Sequence, residues 1–79
     1  MAKDSQPHAF ILICWESGTP LGNFEKIKAI PQVQEVHAVY GIYDEIARVK
    51  ADSMQEFNAV NSKIRSLPNI RSTITMFIE

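Results

Sequence analysis

At 79 residues the chain has room for one domain, which excludes a DNA-reading module joined to a separate sensor domain. A domain this small buries only about 60 % of its unfolded surface, so association with copies of itself adds core that the monomer lacks. The formal charge of -1 leaves no electrostatic footprint for a phosphate backbone, and the single cysteine, Cys14, excludes an intrachain disulfide, a Cys-rich metal site, heavy-metal transfer and iron-sulfur chemistry.

The chain opens on "MAKDSQP", residues 1–7, a polar stretch read as a disordered N-terminal tail ahead of a single domain over 8–79. The apolar run behind it is too short for a signal-peptide core plus cleavage site or for a membrane span, which points to a soluble protein, and the lone cysteine points to a reducing cytoplasm. "HAFILICW", His8 to Trp15, is apolar on both faces, as expected of a strand buried on both sides. Within it Cys14 reads as an inert core thiol.

A first helix follows, with Thr19 as N-cap and Pro20 at the first helical position, burying Leu21, Phe24, Ile27 and Ile30. Pro31 ends it and Val33 opens a second strand, in which alternation groups His37 with Val33, Glu35 and Val39. In "VYGIYDEIARVK", Gly41-Ile42 reads as a two-residue hairpin loop whose glycine supplies the positive φ of a type II′ turn. Tyr40 and Tyr43 would flank that turn as a cross-strand pair, with Asp44 free to accept from nearby backbone N–H groups.

The third strand, Asp44 to Ala51, places Ala47, Val49 and Ala51 on one face and Ile46, Arg48 and Lys50 on the other. Ser53 with Glu56 forms a capping box for a second helix, lined on one side by Met54, Phe57, Val60, Ile64 and Leu67. Pro68 stops it, and "IRSTITMFI" makes a last strand. Plain alternation there turns Ile70, Ser72, Ile74, Met76 and Ile78 toward the helices and Arg71, Thr73, Thr75 and Phe77 toward the open face.

The chain also repeats itself. "IKAIPQVQ" from Ile27 and "IRSLPNIR" from Ile64, 37 residues later, match at every position by identity or conservative replacement. Two β-α-β units with right-handed crossovers make an α+β, ferredoxin-like βαββαβ fold, a four-stranded antiparallel sheet with two helices on one face. An apolar open face on so small a domain calls for a partner sheet, hence a face-to-face dimer of the dimeric α+β barrel type.

From about Ala9 to Ile78 the chain resembles the effector-binding (RAM) domain of the Lrp/AsnC family in a stand-alone form. The "PQV" strand opening, the hairpin "VYGIYDEIARV", the capping-box helix and "LPNIRSTITMFI" carry the likeness, most specifically the spacing of Gly41, Tyr43 and Asp44. The resemblance implies a non-enzymatic module that dimerises through its sheets, assembles further into rings, commonly octameric, and binds small effectors, typically amino acids, between dimers. It implies ligand-binding roles for Gly41, Tyr43, Asp44, Thr73 and Thr75, although relatives often carry serine where Ile74 stands between the threonines.

An amino acid's ammonium group would find an anion in Asp44, and its carboxylate would find donors in the hairpin N–H groups and threonine hydroxyls. No cofactor or metal is implied. With seven polar residues before the first strand, the resemblance implies a sensor without its DNA reader, acting on transcription through a full-length Lrp/AsnC-type regulator and not on nucleic acid directly.

The alternative is a small dimeric α+β barrel enzyme, oxygenase- or isomerase-like, for which His8 and His37 are the only candidates. Surface or interface positions account for both better than catalysis does. An RNA-recognition sheet would need aromatics on its central strands, and "DEIARVKA" has none.

Overall fold

A computed structural model describes residues 6–19 and 22–78. Six elements follow in the order β1 (His8–Trp15), α1 (Gly22–Lys28), β2 (Val33–Ala38), β3 (Glu45–Lys50), α2 (Met54–Arg65) and β4 (Ile70–Phe77). The strands form one antiparallel sheet in the order β2-β3-β1-β4. This is the ferredoxin-like arrangement expected from the two β-α-β units.

The core lies on one side of the sheet only. Ala9, Ile11 and Ile13 of β1 and Ala47 and Val49 of β3 are sealed beneath Ile27 and Ile30 from the α1 side and Phe57, Val60 and Ile64 of α2. Alternation along each inner strand delivers these residues to the same face, and the helices cover it. α2 is capped as its sequence requires: Ser53 Oγ accepts from the Glu56 backbone N–H at 3.1 Å. The Glu56 carboxylate reaches back one residue further than Ser53, to the Asp52 N–H at 3.0 Å.

α1 is shorter. Its expected start at Pro20 and the burial of Leu21 lie outside the described residues, while the Thr19 hydroxyl donates to the Glu16 carbonyl and closes a turn ahead of the helix. At the N-terminal edge Pro7 is buried and its carbonyl accepts from the Ala51 N–H at 3.0 Å.

Two β-bulges decide which side chains face which way. Val33 pairs with Val49 and Glu35 with Arg48, so Gln34 is an extra residue in β2. Ile70 pairs with Trp15 and Ser72 with Cys14, so Arg71 is an extra residue in β4. An inserted residue reverses the facing of everything beyond it.

The expected faces of β4 are therefore corrected. Ile70 packs on the core as anticipated, but after Arg71 the residues Thr73, Thr75 and Phe77 sit opposite Ile13, Ile11 and Ala9 on the helix side. Phe77 packs on Phe57 of α2, with ring centroids 5.0 Å apart. Ser72, Ile74 and Met76 take the open face beside Cys14, Leu12 and Phe10. Likewise Val33 faces the core while Glu35 and His37 face outward, so His37 does not share a face with Val33.

The open face thus carries an apolar strip of Phe10, Leu12, Ile46, Ile74 and Met76, the last two 44 % and 49 % exposed. Beside it Glu35 joins Arg48 (Nε to Oε2, 2.5 Å) and His37 (Nε2 to Oε1, 3.1 Å). The Arg48 guanidinium, and after it His37, hold the Glu35 carboxyl below the usual carboxylate range. His8 approaches Arg48 from β1, Nε2 to Nη1 at 3.1 Å.

Candidate functional site

The hairpin between β2 and β3 is longer than two residues. Val39 N–H donates to the Asp44 carbonyl at 2.9 Å, but the Asp44 N–H turns away and donates to the Ile13 carbonyl of β1. The loop proper runs over residues 40–43, with Tyr40 and Ile42 standing in solvent and Tyr43 half-buried. Tyr40 and Tyr43 do not form the expected cross-strand pair. Gly41 does adopt a positive φ, 126°, and a side chain there would meet no neighbour, so backbone conformation alone asks for glycine.

Asp44 and Glu45 together clamp Trp15. Asp44 Oδ2 accepts from the Trp15 backbone N–H at 2.9 Å, and Glu45 Oε1 accepts from the indole Nε1–H at 2.5 Å. Both acids border a cavity of about 360 Å³, walled by Trp15 and Phe24 and rimmed by the 16–19 turn. Asp44 is exposed; Glu45, only 1 % exposed, lies on the core side of β3 between Ala38 and Ile13. Burial pushes the Glu45 carboxyl up to about 7, with the negative Asp44 adding to the rise and the indole hydrogen bond opposing it.

The threonines stand elsewhere. Thr73 lines a second groove, of about 340 Å³, with Arg65 and Arg71, while Thr75 is half-buried opposite Ile11. Within one chain, then, Asp44 borders an acidic cavity and Thr73 a basic groove, and no described cavity contains both. Neither His8 nor His37 borders either one. Among the described residues no group of three or more His, Cys, Asp or Glu side chains is placed to hold a metal ion. No helix among them is long and apolar enough to cross a membrane.

Residues 8–78 match the family model described as the Lrp/AsnC ligand binding domain. The chain belongs to that family. An uncharacterised HTH-type transcriptional regulator of Pyrococcus horikoshii, PH1916, is 36 % identical over 72 residues, covering 86 % of this chain and 48 % of its own length. The chain therefore spans about half the length of the curated regulators it matches.

Among solved structures, FFRP-DM1 superposes with a TM-score of 0.85 at 36 % identity, covering 92 % of this chain and 99 % of that one. NMB0573 of Neisseria meningitidis, a transcriptional regulator solved in complex with L-Met, shares the fold, with a TM-score of 0.80 at 18 % identity over 92 % of this chain and 49 % of that one.

Sequence reasoning singled out the Lrp/AsnC hairpin but missed Glu45. The signal was present: by alternation Glu45 falls in line with Ala47, Val49 and Ala51, so an acid stood on the face assigned to the core. A carboxyl in such a place needs a partner, and the chain's one tryptophan supplies it.

Proposed function

We propose that the chain is a non-enzymatic sensing and oligomerisation module of the cytoplasm. It dimerises through its open sheet face, assembles further, and binds an amino acid or similar small effector between dimers, acting on transcription through a full-length Lrp/AsnC-type regulator. The family description and the regulator relatives support the coarse reading.

The observation that carries the finer one is the separation of the two candidate clusters. Asp44 belongs to an acidic surface with Tyr43 and Gly41 nearby in the hairpin, and Thr73 to a groove with Arg65 and Arg71, Thr75 following on the same strand face. A zwitterion has one group for each, and two copies that bring the hairpin of one against β4 of the other would present both. The L-Met complex of the Neisseria regulator agrees in ligand class.

Calorimetric titration against the twenty amino acids tests this. Asp44→Ala should weaken the best ligand by about 1.5 to 3 kcal/mol, the worth of a hydrogen bond to a charged group, and Thr73→Val by about 0.5 to 1.5 kcal/mol. Asp44→Ala also frees the Trp15 N–H, so its melting is recorded alongside. No binding by the unmodified protein, or unchanged affinity in both variants, rejects the reading.

A further inference from the structure

Glu45, which borders the acidic cavity, has a polar atom the fold leaves unused. Of the two Glu45 carboxyl oxygens, Oε1 takes the Trp15 indole hydrogen bond, while Oε2 is sealed from solvent and has no hydrogen-bond partner among the described residues. A buried acceptor without a donor is costly, more so when charged, and the Trp15 bond uses only one of the two oxygens.

The surroundings define what would satisfy it. Glu45, Asp44 and Glu16 all border the cavity, and among the described residues no lysine or arginine does. The walls are the rings of Trp15 and Phe24, whose faces attract cations. The acids do not gather as a metal-holding group. A volume of about 360 Å³ lies within the range of small-ligand pockets.

The geometry points to a second small-molecule site in this cavity, taking a protonated amine on an apolar chain: the ammonium donates to Glu45 Oε2 and the chain lies against Trp15 and Phe24. A carboxylate beside the ammonium is disfavoured by the three acids, so the site discriminates against amino acids. It lies within one chain, shares only Asp44 with the effector reading, and does not depend on that reading. Because solvent does not reach Oε2, occupation requires a local shift of the lining that opens this oxygen to the cavity.

Three ligands of one skeleton test this: n-pentylammonium, 1-pentanol, which lacks the charge, and L-norleucine, which adds the carboxylate. Trp15 is the only tryptophan, so its fluorescence reports the cavity. Saturable binding of n-pentylammonium, at least tenfold tighter than either other ligand and weakened at least tenfold in Glu45→Gln, is expected. In the unmodified protein the Trp15 indole N–H resonance should shift on saturation, a readout that stands even if the variant fails to fold.

Equal binding of the alcohol or of norleucine at this cavity, unchanged affinity in a folded Glu45→Gln, or an unmoved indole resonance overturns the proposal. Norleucine binding that survives Glu45→Gln, with no response to n-pentylammonium, rejects this site and leaves the effector reading intact. Binding of n-pentylammonium with no amino acid bound does the reverse.

Discussion

Glu45 has its carboxyl on the apolar side of the sheet, and that position sets a pH dependence. Its folded-state pKa is raised to about 7 from an ordinary 4.5, so the folded chain holds this proton more tightly than the unfolded one. Unfolding free energy is then undiminished below about pH 4.5 and falls as pH rises through the window up to about 7. The full loss is on the order of 3 kcal/mol, from 1.36 kcal/mol per unit. Glu45→Gln keeps the shape and an acceptor for the Trp15 indole but has no proton to lose. We expect it to match the unmodified protein near pH 4 and to exceed it at pH 8, as read by urea denaturation at both values. A pH-independent difference between the two proteins would contradict this account of Glu45.

Among the elements, α2 owes its sharp start to a few bonds. Ser53 Oγ satisfies an N–H that a helix end otherwise leaves open, and the Glu56 carboxylate ties down the Asp52 N–H just ahead of the cap. Ser53→Ala should cost about 1 kcal/mol and lower the melting temperature by roughly 4 to 8 °C, measurable by calorimetry. That helix was legible in the sequence because capping and termination are local: Ser53 and Glu56 are three apart, and Pro68 bars continuation. The element order was legible for the same reason, through the repeat in which Pro31 and Pro68 close the two helices. The facing of β4 was not, because the Arg71 bulge is a property of the pairing between β4 and β1, and Trp15 lies far away along the chain. The hairpin misled similarly. Gly41 announced a turn, but its length is set by the Asp44 N–H choosing Ile13 of β1 over the neighbouring strand. Of the candidate site, Gly41 and Asp44 were legible as a motif; Glu45 came into view only once its burial and its indole partner were known.

At the scale of the whole molecule the one-sided core leaves an apolar strip on the open face, and the proposed dimer would cover it with a second copy of this small domain. Ile74→Lys with Met76→Lys places two charges on that strip without touching the core. Light scattering at micromolar concentration should show an oligomer for the unmodified chain and a smaller mass for the double variant; a monodisperse monomer in both would reject the sheet-face dimer. The paired bulges bear on how such a dimer is oriented. Rung by rung the β2–β3 ladder reproduces the β4–β1 ladder: Val33↔Val49 answers Ile70↔Trp15, Glu35↔Arg48 answers Ser72↔Cys14, and His37↔Ile46 answers Ile74↔Leu12. Leu12 and Ile46 are thus counterparts that also pair with each other, which puts an internal pseudo-twofold axis through the middle of the open face. A face with that symmetry would accept a partner equally well in two poses half a revolution apart. Chemistry breaks the tie, because Glu35, Arg48 and His37 occupy one half where Ser72, Cys14 and Ile74 occupy the other. A pose that lays apolar half on apolar half leaves the ion pair at the rim, whereas the rotated pose strips water from Glu35 and Arg48 against isoleucine and methionine. Duplicated architecture with unduplicated charge would therefore act as a built-in compass for the proposed dimer.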